Sequence, residues 1–231
     1  IHIIIAEEIF SKFSLNINEN DTVVVSCSYG PDSMYMLYIM HNYYKCKVVC
    51  AHVNHKMRQA SEQEYIDLKS YCDKNNIIFE GTEILNYEEC DNFHEYARNF
   101  RYEYFESVVK KYHAKYLFTA HHGDDLMETI LMHILRGGSI YGYSGFDFFV
   151  DKGDYKIVRP LIYLSKDEIE KYDEELNIPY AIDESNLEDH YTRNRFRHHV
   201  LPFLKSEEKD AHLKFLNFAS NLKECTNFLD N

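Results

Sequence analysis

Glycine is scarce in this chain, with eight in 231 residues. Long apolar runs are missing: none reaches the ~18 residues of a membrane span, so no membrane partner is expected. Ile1, Ile3, Ile4 and Ile5 open the chain, but Glu7 and Glu8 break the run. With no basic stretch and no small-residue cleavage site, this segment does not read as a signal peptide. A start at Ile1 rather than Met fits a trimmed or partial sequence. The six cysteines, at 27, 46, 50, 72, 90 and 225, include no Cys-x-x-Cys pair. No disulfide framework is suggested, and a reduced, cytoplasmic setting is the simplest reading. Positive charge is also in deficit: 25 Lys and Arg stand against 38 Asp and Glu, a net charge of −13. That argues against a surface that coats nucleic acid non-specifically. Basic residues nevertheless cluster at Lys56–Arg58, at Arg98–Arg101 and in Arg193-Asn194-Arg195-Phe196-Arg197-His198-His199.

Three familiar signatures are absent as well. There is no Gly-x-x-x-x-Gly-Lys-Ser/Thr, no Gly-x-Gly-x-x-Gly and no Gly-x-Ser-x-Gly. What is present is an apolar run, Val23-Val24-Val25, ending in Ser26-Cys27-Ser28-Tyr29-Gly30-Pro31-Asp32-Ser33 and followed by a helix-like pattern. This is strand, short polar loop, helix. The unpaired N–H groups at such a helix start carry partial positive charge and suit an anion.

Elsewhere strand and helix patterns alternate. A helix is expected over 2–13, with Ile5, Ile9 and Phe13 on one face. Strands are expected at 22–27, 47–53, 77–79 and 116–119, with short ones near 147–150 and 156–159. Helices are expected at about 33–44, after Ser61 (capping box with Glu64), at 92–112, 124–135, 165–175 (Ser165 boxed with Glu168) and 207–230. The fold expected is α/β: a doubly wound, mostly parallel five-stranded sheet with helices on both faces and a short helical C-terminal extension. Five glycines fall between 123 and 145. They suit a loop approaching a ligand, or equally, at Gly137-Gly138, a simple helix end.

In such a sheet, ligands bind at the carboxyl ends of the strands. The strand ends offer Ser28 to Ser33; His52, Asn54, His55 and Arg58; and His121-His122-Gly123-Asp124-Asp125 with Glu128 and Thr129. Asp125 and Glu128 are three apart on one helical face and could hold an ammonium group or Mg2+. The plainer alternative is that Asp124 or Asp125 merely caps the helix. Arg98 and Arg101 could fork onto phosphate; a solvated helix face is the competing reading. Cys46, Cys50, His52 and His55 superficially resemble a zinc set, but one extended strand cannot converge four tetrahedral ligands, so buried small cysteines are expected instead.

The loop at 28–33 resembles that of the PP-loop ATP pyrophosphatases. Taken with Ala51-His52-Val53-Asn54-His55-Lys56-Met57-Arg58, Ala97-Arg98-Asn99-Phe100-Arg101-Tyr102, Ala120-His121-His122-Gly123-Asp124-Asp125-Leu126-Met127-Glu128-Thr129, Arg136-Gly137-Gly138, Arg159-Pro160-Leu161, Asp183-Glu184-Ser185-Asn186 and Arg193-Asn194-Arg195-Phe196-Arg197, the chain resembles the tRNA(Ile)-lysidine synthase family. The resemblance implies a PP-loop ATP-binding catalytic domain over 1–204. A C-terminal helix over 205–231 then reads as the start of a truncated second domain. It implies ligation of free L-lysine to C2 of the wobble cytidine of a CAU-anticodon isoleucine tRNA, through an adenylated cytidine. Under it, Ser28, Tyr29, Gly30, Pro31, Asp32, Ser33, His52, Asn54, Arg101 and His122 bind ATP. Asp125 and Glu128 bind lysine and, with Asp32, are catalytic. Asp32 and Asp124 hold Mg2+, and Arg193, Arg195 and Arg197 contact tRNA. No zinc or iron–sulfur cluster is implied, and a homodimer stays open.

Two departures stand out. Tyr29 replaces a usual Gly and Pro31 removes an N–H donor, so a blocked or differently bent loop with weaker ATP binding is expected. Family members usually continue into tRNA-selecting domains, so a catalytic-domain fragment or a less discriminating short version is expected. Competing readings are another PP-loop enzyme, a tRNA thiolase or an amidotransferase-type synthetase, and an inactive nucleotide or tRNA binder.

Overall fold

The computed structural model describes residues 1–56, 59–84 and 92–231. Met57, Arg58 and Cys90, singled out above, lie outside the described residues. Strand β1 (Thr22–Ser26) runs through the middle of the sheet, with Val23, Val24 and Val25 fully buried. A run apolar on both faces marks a central parallel strand. β2 (Lys47–Asn54) and β4 (Tyr116–Phe118) flank it in parallel; β3 (Ile78–Glu83) lies outside β2 and β6 (Lys156–Val158) outside β4. β5 (Phe149–Asp151) pairs antiparallel with β6, giving the order β3-β2-β1-β4-β6-β5. The sheet therefore has six strands, not five. The added strand closes a short edge hairpin through Gly153, whose φ of 87° favours glycine.

Alternate β1 side chains serve opposite layers. Val23 and Val25 pack with α1 (His2–Lys12), α2 (Pro31–Tyr43), α3 (Ala60–Lys74) and α6 (Lys166–Glu175), whereas Val24 packs with α4 (Phe93–Tyr112). Helix α5 (Gly123–Leu135) follows β4. Its Leu126 and Ile130 pack on Leu216 and Ala219 of α9 (Ala211–Leu229), so the last helix is part of the core. Leu213 and Phe218 of the same helix are exposed.

The Ser165–Glu168 capping box forms as expected. The box at Ser61 does not: α3 begins at Ala60 and Ser61 lies inside its first turn. Gly137 and Gly138 end α5. The Gly137 N–H bonds to the Ile134 carbonyl and the Gly138 N–H to the His133 carbonyl, with Gly137 at φ 66°. That is a Schellman cap, the plainer of the two readings. α7 (Thr192–Arg195) widens into a π turn over Phe196–Val200 before α8 (Leu201–Glu207). The widening falls just ahead of Pro202, which has no N–H to continue the ladder.

From β1 the chain builds outward to β2 and β3, then crosses back to β4 and β6. The crevice at the carboxyl ends of β1 and β4 is thus the topological switch point, where open α/β sheets bind ligands.

Candidate functional site

A cavity of about 820 Å³ opens at that switch point, a size suited to a nucleotide-scale ligand. Its floor is the loop after β1. Gly30 is the N-cap of α2 and Pro31 the first helical residue. At that position the missing N–H would have been unpaired anyway, so Pro31 preorganises the helix start rather than weakening it. The loop is self-bonded: the Ser28 N–H donates to Ser33 Oγ (3.1 Å), and the Gly30 N–H donates to Ser28 Oγ (3.3 Å).

Tyr29 adopts φ 68°, the left-handed conformation a glycine would take there. Its ring is packed into the core, 7% exposed, and is not part of the cavity lining. The Ala181 N–H donates to its carbonyl at 2.9 Å. The loop thus keeps a glycine-like path while the side chain turns inward, and the expected obstruction is not there.

Opposite the loop, β4 ends in His121 and His122, and α5 begins. His122 is the N-cap, and the Asp125 carboxylate accepts from the His122 N–H at 2.9 Å. The capping reading of Asp125 is therefore correct, yet the same side chain also faces the cavity. His122 Nε2 lies 3.3 Å from Asp32 and 3.4 Å from Asp125. Burial alone would lower this imidazole's pKa, but Asp125 and Asp32 outweigh it and push it up to about 9. Protonation competes with the contact from the Asp125 N–H to Nδ1. At 3.4 Å that contact is long and weak, so it yields to the two carboxylates.

Burial works to raise Asp32, but His122 and then Lys166 hold it down to about 2. Lys166 Nζ donates to both Asp32 oxygens, at 2.8 and 2.9 Å. His121 behaves oppositely: burial, then the charge of Arg159, lowers it to about 4, leaving it neutral beside the ligand space.

Glu128 is fully buried. Arg197 clamps it through two hydrogen bonds of 3.0 and 2.9 Å, and Arg193 adds one of 3.3 Å. Burial raises the Glu128 pKa despite both arginines. Arg193 lines the cavity, whereas Arg197 and Glu128 do not. Arg195 is exposed and bonds to the carbonyls of Asp189 and His190.

Six other expected site residues do not line the cavity. His52 Nδ1 lies 2.7 Å from the Cys27 carbonyl, and Asn54 Nδ2 donates to Glu62 at 3.1 Å. By strand parity Val53 and His55 line the cavity instead. Asp124 is paired with Lys205 at 2.5 Å and accepts from the Lys166 N–H, Tyr29 is packed in the core, and Pro31 and His122 sit at the starts of α2 and α5 without lining the cavity. Asp32 and Asp124 are each committed to lysines, and among the described residues no cluster of three or more His, Cys, Asp or Glu could hold a metal. The donor set does not fit a protein-held Mg2+, and no step is assigned to one.

Arg98, Arg101, Tyr102, Phe146 and Arg159 complete the cavity wall. Of these, the sequence offers Arg98 and Arg101 to phosphate, and the resemblance gives an ATP role to Arg101 alone. Phe146 and Arg159 lie far along the chain from the loop, and no local pattern marks them as its neighbours.

An anion-accepting loop at the switch point of a doubly wound sheet, walled by arginines, defines a nucleotide-binding type of α/β site. Residues 4–204 match the PP-loop domain family, and the chain belongs to that family. It is 37% identical over 230 residues to the tRNA(Ile)-lysidine synthase of Bacillus subtilis (strain 168), covering 96% of this chain and 48% of that protein. It is 34% identical over 222 residues to the tRNA(Ile)-lysidine synthase of Geobacillus kaustophilus (strain HTA426), covering 93% and 48%. The chain thus spans about half the length of the curated relatives it matches. The U34-tRNA thiolase NcsA from Methanococcus maripaludis, solved with its 4Fe-4S cluster, superposes with a TM-score of 0.78 at 16% identity, over 95% of this chain and 78% of that one. That likeness speaks to the fold. Among the described residues no helix is long and apolar enough to cross a membrane.

Proposed function

We propose that this chain carries the catalytic centre of an ATP-dependent ligase that joins L-lysine to C2 of the wobble cytidine in a CAU-anticodon isoleucine tRNA. The observation that carries the reading is the shared cavity. Ser28, Gly30 and Ser33 of the loop and Asp125 of α5 line one cavity. In this reading the C2 oxygen attacks the α-phosphate of ATP and pyrophosphate leaves. The lysine ε-amine then attacks C2, and AMP leaves.

The loop hydroxyls and the α2 N-terminus would bind phosphate. Arg101 would offset charge on the transferring group. Lys166 and His122 would fix Asp32 beside the loop. Asp125 would receive the lysine ammonium and orient its amine as nucleophile. Glu128 joins it only when Arg193 and Arg197 are drawn off, and an RNA phosphate is an anion that competes for them. A single-stranded anticodon base offers its Watson–Crick edge to such a site. The names of the relatives support this reading.

The test is incubation with ATP, Mg2+, lysine and the isoleucine tRNA. Lysine-dependent AMP release is expected, and Asp32→Asn and Asp125→Asn should abolish it with the fold retained. AMP release that ignores lysine would point to another PP-loop chemistry. ATP binding without turnover would mark a nucleotide or tRNA binder.

A further inference from the structure

Among the cavity's arginines, Arg159 is the most buried. It follows β6, is 9% exposed, and has a buried Nε with no hydrogen-bond partner among the described residues. Among the described residues its guanidinium makes one hydrogen bond, NH2 to the Tyr102 hydroxyl, long at 3.5 Å. The guanidinium sits 4.9 Å above the Phe146 ring, which steers it without neutralising it. Among the described residues no carboxylate lies within ion-pair distance of it, and burial lowers its pKa, helped by the charge of Arg98 and opposed by Tyr102, Asp147 and Asp125. A buried, unpaired guanidinium is costly, and an apolar side chain of similar shape would serve the fold better. A charge kept under those terms is set for an anion that arrives from outside.

Position says which anion. The phosphate loop follows β1, and Arg159 follows β6, with β4 between them. Two strand spacings put these points about 10 Å apart. A triphosphate seated on the loop fills the β1 side; the β6 side is left for the second substrate. We propose that Arg159, flanked by Arg98 and steered by Phe146 and Tyr102, binds a backbone phosphate of the polynucleotide next to the reacting base. The assignment rests on the reading above that the second substrate is RNA.

The test compares Arg159→Met and Arg159→Lys with the parent chain in three measurements: melting temperature, ATP affinity by calorimetry, and affinity for an anticodon stem-loop RNA across a salt series. Arg159→Met should melt at or above the parent temperature and bind ATP within about twofold. It should bind the RNA roughly tenfold more weakly, with a salt slope shallower by about one. Arg159→Lys keeps the charge without the fork and should fall between. If Arg159→Met does not fold, Arg159→Lys decides, because a purely structural role leaves its salt slope and RNA affinity untouched. A loss of ATP affinity would assign the arginine to the nucleotide and overturn the proposal. Unchanged RNA affinity in a folded variant would overturn it while sparing the ligase reading. Failure of the parent chain to bind RNA at all would sink both.

Discussion

Replacing His122 by Asn tests the electrostatic centre of the site. Asparagine keeps an oxygen that can accept from the Asp125 N–H, so the α5 cap survives. What goes is the charge. His122 is 2% exposed and carries a pKa of about 9 between Asp125 and Asp32. Set against the ordinary imidazole value near 6.5, a separation of about 2.5 pH units corresponds to about 3 kcal/mol. Because the folded value is the higher one, this stability is fully present below about pH 6.5 and is lost as pH climbs through about 9. Urea unfolding should therefore show His122→Asn less stable than the parent by about 3 kcal/mol near pH 6. The gap should shrink steadily and level off above about pH 9, leaving only a pH-independent remainder for the smaller side chain. A gap constant from about pH 6 to pH 10, or a His122 ring resonance titrating near 6.5, would refute the reasoning.

Asp173, fully buried with both carboxylate oxygens unpartnered among the described residues, is pushed up to about 8 by burial and then by the charge of Asp32. The stability tied to its proton is fully present below about pH 4 and is lost as pH rises through about 8. Asp173→Asn should therefore exceed the parent by about 5 kcal/mol near pH 9 in urea melts and lose that advantage below about pH 4. Arg197→Met strips the bidentate partner from buried Glu128 and should cost about 3 kcal/mol. Glu128→Leu with Arg197→Met should recover most of it, read as a coupling energy in a double-mutant cycle. Tyr29→Gly relieves a positive φ but removes a buried ring. It should lower stability by about 2–4 kcal/mol while calorimetric ATP affinity changes less than about threefold.

The strand–loop–helix at 22–43 was legible because its signals are local: three consecutive valines, then a polar turn with Gly30 and Pro31 placed where a helix begins. The box at Ser165 and Glu168 was legible for the same reason. The edge hairpin was half legible, since strands of only three residues carry little alternation. His52 and Asn54 were misplaced relative to the cavity because alternation gives the parity of a strand, not which parity faces the ligand space. Tyr29 was read as an obstruction because its identity shows in the sequence, while its backbone conformation and the direction of its ring do not. Arg159 and Phe146 reach the site only through pairing of β4 with β6, a contact with no local trace.

Composition and short-range pattern determined the class of fold and the site of the anion-binding loop, since helix starts, strand periods and turn chemistry are written within a few residues of each other. Which charges meet was decided by tertiary structure alone. Lys166 reaches Asp32 across 134 residues and Arg197 reaches Glu128 across 69. Burial at those meeting points then sets which of the carboxylates and imidazoles hold protons.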